Sequence, residues 1–384
     1  MLAHLALRDF RNVERASWRP GPGAQLLLGG NGAGKTTLLE AIYLLATTRS
    51  FRTSQLADCC RAGQSAFHLS GEIGESARRV EVGWRAGGQR HRAVDGVELP
   101  LAEHLAVQPV LAWTSAEGVL LSGPPGVRRR FLDRALVSWR PAALGVLGRY
   151  QRALASKRAL LARGERRGLE AWNELLAREG AEVAARRAEL VAALAARLAP
   201  LAGEVGLLLP EVGLAYEPSP PDAPQGASAL RAALERAAGE ELARRQPLVG
   251  PQRDEIAIRL GGRPARRGAS AGERKALGLL LLAAQARLLG EAGAAPLMLL
   301  DDLDTELDGE RLAALWRALA GAPQLVATSN RPEVWRALPV AERWRVAGER
   351  RCGRGPAAAF REPRRRRHKP IIFSNLYLAV AGSF

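Results

Sequence analysis

Hydrophobic and polar residues alternate over the first part of the chain, as they do in half-buried strands. Leu5, Leu7 and Phe10 recur among polar positions and predict a β-rich start over residues 1–30. Short alternating runs over residues 65–100, separated by glycine-containing turn signals, predict an antiparallel sheet. Continuous apolar runs predict buried strands instead. They occupy residues 25–28, 110–113 and 297–300, and residues 324–330 are predicted to form another buried strand, with a polar end.

The middle of the chain changes to helical spacing. Residues 127–203 are predicted to be almost wholly helical. The helices are expected at 126–139, 141–163 and about 168–199. The last two are expected to form an antiparallel hairpin, because leucines recur near heptad spacing on one and every four residues on the other. A proline-rich linker follows at residues 217–228, and residues 269–289 are predicted to form a loop followed by an apolar helix.

Residues 29–37 read GGNGAGKTT and fit the phosphate-binding loop G-x-x-x-x-G-K-[ST]. Glycines let several backbone N–H groups point at one anion, while Lys35 brings a charge to the phosphates and Thr36 offers a hydroxyl to Mg²⁺. The loop lies between a predicted strand and a predicted helix over 37–45, the context that it requires. The chain has 40 glycines but only four lysines, so glycine content does not explain the match. The predicted ATP-binding residues are Gly29, Gly30, Asn31, Gly32, Ala33, Gly34, Lys35, Thr36 and Thr37.

Two carboxylates follow a buried strand much later in the chain. Asp301 and Asp302 stand at the carboxyl end of the predicted strand 297–300, the edge at which open α/β sheets bind ligands. We expect Asp301 and Thr36 to hold Mg²⁺. We expect Asp302 to polarise the attacking water, with Lys35 as the second catalytic group. Many ATPases carry the longer Glu at the place of Asp302, so slow hydrolysis is predicted. A surface acidic turn is the alternative, and the phosphate loop weighs against it.

The segment Ser270-Ala271-Gly272-Glu273 directly precedes the predicted apolar helix. Ser270 and Glu273 have the spacing of a reciprocal capping box, which is a purely structural interpretation. The same helix start, with a serine and a glycine, is also suited to bind the γ-phosphate of ATP. Both interpretations can hold together, and the predicted nucleotide-binding residues here are Ser270, Gly272 and Glu273.

The formal net charge of the 384-residue chain is +17, which favours a polyanionic partner such as nucleic acid or an anionic membrane surface. The basic run 361–369 contributes +5, and +12 remains without it. The most apolar run, residues 277–286, has about half the length of a membrane span. The N-terminus lacks the pattern of a secretory signal, and the cysteines at 59, 60 and 352 have no metal-ligand spacing. These features predict a cytoplasmic protein with reduced thiols.

The order of these motifs resembles the ABC-type ATPase head: phosphate loop, helical insertion, S-x-G-E helix and acidic strand. The resemblance implies an α/β head with an antiparallel β subdomain and a mostly helical second lobe. It also implies an ATP-dependent head-to-tail homodimer, in which the S-x-G segment of one protomer completes the ATP site of the other. The corresponding division is a discontinuous head over 1–125 and 246–345, a helical lobe over 126–245, and a basic, flexible tail over 346–384.

More closely, the chain resembles the RecF family of bacterial recombination and repair ATPases. The segments that carry the resemblance are LRDFRN at 7–12, GNGAGKTTLLEAIYLLATTRSFRT at 30–53, SGPPGVRRRFLDRAL at 122–136, GPQRDEI at 250–256, ASAGERKAL at 269–277 and MLLDDLDTELD at 298–308. The family implies a cytoplasmic, nucleoid-associated protein that binds double-stranded DNA at single-strand gaps when ATP is bound. It also implies RecO and RecR partners, which help to load RecA. Contacts to DNA are predicted for Arg128, Arg129, Arg130 and Arg134, although such spacing also suits a solvated helix face.

The chain departs from ABC transporter subunits at the end of the strand after the acidic pair. That end reads Ala327-Thr328-Ser329-Asn330 and has no switch histidine. Thr328 or Asn330 would then sense the γ-phosphate by a hydrogen bond. An ATP-binding subunit of an ABC transporter is the alternative function, and it predicts a membrane permease, a switch histidine and a glutamate after the acidic strand. The chain has neither the switch histidine nor the glutamate. A DNA-binding protein that binds ATP without hydrolysing it is a third hypothesis.

Overall fold

A computed structural model describes residues 1–206 and 209–346, together with four two-residue strands near the C-terminus. Most of the predicted tail 346–384, including Cys352, lies outside the described residues. The helices are α1 (Lys35–Thr47), α2 (Leu101–Ala106), α3 (Ser115–Gly118), α4 (Pro125–Trp139), α5 (Ala143–Arg163), α6 (Leu169–Glu204), α7 (Ala227–Arg244), α8 (Ala265–Gly268), α9 (Ala271–Glu291) and α10 (Gly309–Leu319). The strands are β1 (Leu2–Phe10), β2 (Val13–Trp18), β3 (Gly23–Leu28), β4 (Ala66–Ile73), β5 (Arg78–Arg85), β6 (Gln89–Val94), β7 (Val110–Trp113), β8 (Val212–Glu217), β9 (Glu255–Leu260), β10 (Arg263–Pro264), β11 (Leu297–Leu300), β12 (Gln324–Ser329), β13 (Glu342–Arg345), β14 (Arg367–His368), β15 (Ile372–Phe373), β16 (Leu376–Tyr377) and β17 (Val380–Ala381).

The chain forms two compact units, one made of residues 1–117 and 293–384 and the other of residues 118–292. Like the predicted lobes, the first unit is discontinuous and is interrupted by a largely helical one. The two divisions differ over residues 246–292, which the sequence assigns to the head and which cluster with the helical unit. The reason lies in α9, because this apolar helix packs against α6 of the helical insertion.

The first unit contains a five-stranded sheet in the order β13-β3-β12-β11-β7, and its pairings are parallel. Every side chain of β11 and β12 is buried, which explains the continuous apolar run of β11. Strands β1, β2, β4, β5 and β6 form an antiparallel sheet with one buried and one exposed face. Helix α1 packs between the two sheets in one hydrophobic core that includes Leu5, Leu38, Leu69 and Leu299. The predicted strands and the antiparallel subdomain are therefore confirmed.

The second unit is built from helices and a three-stranded antiparallel sheet in the order β10-β9-β8. Helices α5 and α6 pack against each other across the short connection 164–168, as the leucine spacing predicts. Leu190, Leu194 and Leu198 are buried core residues. Helix α7 packs on the other side of α6 and was not predicted from the sequence. In the described part of the chain, no helix is both long and apolar enough to cross a bilayer.

Candidate functional site: a nucleotide site at the carboxyl edge of the parallel sheet

The predicted phosphate loop connects the end of β3 to the start of α1, and glycines are required along it. A Cβ atom on Gly29 would lie 2.3 Å from the carbonyl oxygen of Val346, so no larger residue fits there. Gly32 and Gly34 have φ angles of 76° and 100°, which L-residues with side chains rarely adopt. Gly34 is also the N-cap of α1. The backbone amides at the start of this helix therefore face the concave side of the loop, where an anion binds.

Lys35 is folded back over the loop that it follows. Its side chain is 6% exposed, and Nζ donates to the carbonyl oxygens of Gly29 at 2.8 Å and Gly30 at 3.0 Å. Burial lowers the pKa of Lys35, and the carboxylates of Asp302 and Asp301 oppose that shift. The ammonium group is thus weakly solvated and held by neutral oxygens, which phosphate oxygens can replace with a stronger, charge-assisted contact.

Oxygen ligands meet where β3, β12 and β11 end side by side. Thr36 Oγ1 lies 3.0 Å from both carboxylate oxygens of Asp301. Thr328 Oγ1 donates to Asp301 Oδ1 at 2.8 Å and accepts the N–H of Asp302 at 2.8 Å. Burial raises the pKa of Asp301, and the hydroxyls of Thr328 and Thr36 oppose the shift.

This donor set fits Mg²⁺, which prefers a hydroxyl, one carboxylate, phosphate oxygens and water to an all-protein cage. Thr36 and Asp301 are the residues that would hold the ion. Thr328 lies behind them and orients Asp301. Thr328 or Asn330 was predicted to sense the γ-phosphate; the side chain of Thr328 is fully buried and bonds to the acidic pair, and sensing by either residue stays a prediction.

The second carboxylate stands apart from the metal ligands. Asp302 is exposed and has a φ of 44°, an uncommon conformation for a residue other than glycine. Its carbonyl oxygen accepts the N–H of Thr305 at 3.2 Å and Oγ1 of Thr305 at 2.8 Å, which closes a tight turn. Asp302 therefore projects from the sheet edge next to the phosphate loop, in the same unit as Lys35.

Two asparagines connect the loop to its neighbours. Asn330, just beyond β12, donates from Nδ2 to Oδ1 of Asn31 in the loop at 3.2 Å. Thr37 donates from Oγ1 to Oδ1 of Asn12, which follows β1, at 3.0 Å. The sequence did not identify Asn12, because its partner on α1 lies far away along the chain. Both contacts fix the loop against the surrounding strands.

A second residue that the sequence missed is Glu40, which is fully buried on α1. Arg11 binds it with two nitrogens, Nε at 2.9 Å and Nη2 at 2.5 Å. Ser50 Oγ donates at 2.5 Å, and Arg52 Nη1 lies at 3.4 Å. The basic loop after α1 is thereby tied back to the helix that begins at the phosphate loop. A glutamate inside an apolar helical run is the signal that could have revealed this anchor.

The S-x-G-E segment begins α9 in the second unit. Ser270 is the N-cap, its Oγ accepts the N–H of Glu273 at 3.3 Å, and the Glu273 carboxylate accepts the N–H of Ser270 at 2.7 Å. The predicted capping box is therefore present. Ser270 is exposed and Gly272 is half-buried. A role of Ser270, Gly272 and Glu273 toward nucleotide remains a prediction.

The predicted DNA-binding arginines on α4 divide into two pairs. Arg128 is 4% exposed and binds both carboxylate oxygens of Glu255 at 2.6 Å. Arg129 is half-buried and donates to the carbonyl of Asp254 at 3.0 Å. Arg130 and Arg134, one helical turn apart, are exposed. The guanidinium of Arg128 is thus buried and paired with Glu255 on β9, and a contact of any of the four arginines to DNA stays a prediction.

Behind α4 lies a buried polar cluster around the GPQRD segment, which the sequence left without a function. Asp254 is fully buried; Oδ2 accepts Nη1 of Arg187 at 2.8 Å and the hydroxyl of Tyr216, and Oδ1 accepts the N–H of Ser219 at 2.9 Å. Arg187 also donates to Oδ1 of Asp133 on α4 at 2.6 Å. Burial alone would lower the pKa of Arg187, but the two carboxylates raise it above its ordinary value. The cluster therefore joins α4, α6, β8 and β9.

The chain is similar to curated proteins named DNA replication and repair protein RecF. That of Acidothermus cellulolyticus is 34% identical over 364 residues, which cover 90% of this chain and 97% of the relative. Those of Myxococcus xanthus and Anaeromyxobacter sp. are 35% and 38% identical and cover 86% and 84% of this chain and 90% of each relative. No family model matches the chain.

Solved structures share the fold. The recombination mediator protein RecF-ATP in the RecFOR pathway superposes with a TM-score of 0.81 at 24% identity and covers 90% of this chain and 95% of that chain. The Smc head bound to the C-winged helix domain of ScpA superposes with a TM-score of 0.56 at 14% identity, over 91% of this chain and 95% of that chain. The predicted fold class, an ABC-type ATPase head with an antiparallel β subdomain, is confirmed.

Proposed function

Since the chain belongs to the RecF family of DNA replication and repair proteins, we propose that it binds double-stranded DNA in an ATP-dependent way and acts at single-strand gaps. Its partners in this function are RecO- and RecR-type proteins, and the outcome is the loading of RecA. The site of action is the cytoplasm, at the nucleoid. The transporter alternative is not retained, because the family acts in DNA replication and repair.

One observation carries the ATP part of the proposal: Lys35, Thr36 and Asp301 converge at the carboxyl edge of the parallel sheet, with Thr328 behind them. When bound there, ATP would supply the phosphoryl group that water attacks. Mg²⁺ would supply positive charge that offsets the negative charge on the phosphate oxygens. The loop amides bind phosphate oxygens, and Lys35 exchanges its two carbonyl partners for them. Asp302 orients the attacking water and accepts its proton. Since Asp302 is shorter than Glu, we expect hydrolysis to be slow.

We infer that ATP joins two copies of the chain. The N-terminus of α9, with Ser270 and Gly272, offers the amides and the hydroxyl that a γ-phosphate of the other copy accepts. The capping box supports this assignment, since it holds the backbone of that helix start in one conformation. Two ATP molecules would then bridge two heads, and slow hydrolysis would release them.

Arg130 and Arg134 are the best candidates for the DNA contact. They are exposed on one face of α4, and the opposite face is held by Arg128 and Arg129 through Glu255 and the Asp254 carbonyl. Because these contacts already fix the backbone of α4, binding DNA through its two exposed guanidinium groups would cost little further backbone entropy. Paired heads would present two such sets to one duplex, as contacts to successive phosphates require.

The double substitution Arg130→Ala/Arg134→Ala tests this contact. Each guanidinium that no longer reaches a phosphate is expected to lower the slope of log affinity against log salt by about 0.9. The slope for a gapped duplex in the presence of ATP and Mg²⁺ is therefore expected to fall by about 2 per protomer. Fluorescence anisotropy at several salt concentrations measures it.

The matched control is Arg231→Ala/Arg244→Ala, which removes two exposed arginines from α7. These arginines pair with Glu235 and Glu240 one turn away. Their removal changes the net charge by the same amount as Arg130→Ala/Arg134→Ala but removes no predicted phosphate contact. The control is expected to keep the wild-type slope. Equal slopes for wild type and Arg130→Ala/Arg134→Ala would contradict the assignment.

A further inference from the structure

The turn after β11 carries a buried carboxylate that the proposed mechanism does not use. Asp304 is 1% exposed, and its Oδ2 accepts Ser329 Oγ and Arg331 Nε, each at 2.9 Å. Its backbone carbonyl accepts a second nitrogen of Arg331. Within the described residues, Oδ1 of Asp304 is buried and has no hydrogen-bond partner. A buried carboxylate is costly unless its charge is paired, so Arg331 is what allows this turn to keep its shape.

This turn determines where Asp302 points. Asp302 is its first residue and Thr305 its last, joined by the bond from the Thr305 N–H to the Asp302 carbonyl. Asp304 is the third residue. The φ of 44° at Asp302 is unfavourable for a residue other than glycine, and such a conformation persists only where surrounding contacts impose it.

Several contacts to this turn come from one short segment, residues 328–331 at the end of β12. Thr328 Oγ1 accepts the N–H of Asp302, which holds the first residue of the turn. Ser329 and Arg331 hold the third residue through Asp304. Asn330, between them, bonds to the phosphate loop. The segment therefore grips the turn at two points and the loop at a third.

We propose that Asp304 and Arg331 form a positioning pair for the catalytic carboxylate: by fixing the turn, they set the direction in which Asp302 meets the attacking water. The inference rests on the proposed hydrolysis and adds two residues to it. The hydrogen bonds of the pair go to Ser329 and to the turn itself, whereas Lys35 is bound by the phosphate loop and Thr36 by Asp301. Loss of the pair is therefore expected to disturb the orientation of Asp302, whereas the hydrogen bonds of Lys35 and Thr36 involve neither residue of the pair.

Four variants test the pair by steady-state phosphate release, with rates referred to the concentration of nucleotide-binding sites. Asp304→Ala and Arg331→Ala are expected to lower kcat on the order of 100-fold, the cost of a misplacement of about 1 Å. The KM for ATP is expected to stay within about threefold. Arg331→Lys keeps the charge but lacks the planar fork that reaches both acceptors, so an intermediate kcat is expected. Asp304→Asn keeps the accepting oxygen and loses the charge, and is likewise expected to be intermediate.

The control is Arg78→Ala, which breaks a half-exposed ion pair with Asp95 on the antiparallel sheet, at 2.7 Å and away from the turn. It is expected to keep the wild-type kcat. A merely stabilising role of Asp304 and Arg331 would lower the unfolding midpoint and leave kcat per binding site unchanged, and that result would overturn the proposal. If an alanine variant does not fold, Arg331→Lys and Asp304→Asn carry the test, because the first keeps a positive charge beside Asp304 and the second leaves no buried charge.

Asp302→Asn separates this inference from the proposed function. A wild-type rate no higher than that of Asp302→Asn would contradict hydrolysis at this site, and with it the positioning pair. A wild-type rate well above Asp302→Asn, together with wild-type kcat in Asp304→Ala and Arg331→Ala, would contradict the pair alone. We expect kcat to be highest in wild type, lower in Arg331→Lys and Asp304→Asn, and lowest in Arg331→Ala and Asp304→Ala.

Discussion

Replacing Lys35 with methionine is expected to reduce phosphate release from ATP roughly 100- to 1,000-fold, the loss that follows removal of one charged donor from a preorganised site. Methionine has a similar length but neither charge nor hydrogen-bond donors. The β- and γ-phosphates then lose their contact with the ammonium group, and the carbonyls of Gly29 and Gly30 lose the donor that they share. We expect weaker ATP binding as well, measured with a fluorescent nucleotide.

The same substitution is expected to leave the folded state intact. The hydrogen bonds of the Lys35 ammonium group go to loop carbonyls, which are neutral, so its removal breaks no hydrogen-bonded ion pair; the carboxylates of Asp302, Asp301 and Asp304 lose only its electrostatic attraction. The urea unfolding midpoint is therefore expected to stay close to that of wild type. Arg19→Met is the control, since Arg19 is exposed and lies 3.7 Å from Glu72; full activity is expected. Wild-type hydrolysis by Lys35→Met would show that the loop is not the ATP site.

The largest loss of stability is expected from Arg187→Met, at about 3–5 kcal/mol, the cost of breaking a buried ion pair by removing one partner. Methionine fills part of the space but leaves Asp254 buried, with only the Tyr216 hydroxyl and the Ser219 amide as partners. Asp133 on α4 also loses its guanidinium. The free energy of unfolding, from urea denaturation followed by circular dichroism, measures the effect.

This loss is expected to depend on pH. Burial raises the pKa of Asp254, against the attraction of Arg187; without Arg187 the raised pKa rises further. A carboxylate whose pKa is higher in the folded state binds more protons there than in the unfolded state. Its contribution therefore lowers the free energy of unfolding as pH rises from the unfolded-state pKa near 3.9 through the folded-state pKa. The gap between variant and wild type is therefore expected to be smaller at pH 5 than at pH 7.5.

Arg186→Met is the matched control on the same helix. Arg186 pairs with Glu182 one turn away at 2.7 Å and is partly exposed. Such surface pairs contribute about 0–1 kcal/mol, so a small and pH-insensitive change is expected. A similar small change in Arg187→Met would contradict the account of the buried cluster.

The residues of the nucleotide site could be predicted because each of them belongs to a motif of residues that are close together in the sequence. A glycine-rich loop with Lys35 and Thr36 between a strand and a helix leaves few alternatives, and Asp301 follows a run that can only be a buried strand. The parallel sheet then brings these segments together. Helices α5 and α6 of the second unit were likewise predicted from leucine spacing, which depends on neighbours three or four residues away.

Contacts between distant segments account for what the sequence missed. Residues 301–308 contain four acidic residues besides Asp304. Nothing in the local sequence indicates that Asp304 is the buried one. Its partner Arg331 follows a separate strand. In the same way, Arg128 and Arg130 are indistinguishable in a run of arginines. Glu255, far along the chain, decides that Arg128 turns inward.

The central claim is that ATP on the Lys35 loop controls DNA binding, and one titration tests it directly. The affinity of wild type and Lys35→Met for a gapped duplex is measured at fixed salt without nucleotide, with ADP and Mg²⁺, and with ATP and Mg²⁺. We predict that wild type binds at least about tenfold more tightly with ATP, equivalent to about 1.4 kcal/mol, and that Lys35→Met shows the same weak affinity in all three conditions. Wild-type affinity that is equal with and without ATP would contradict the account.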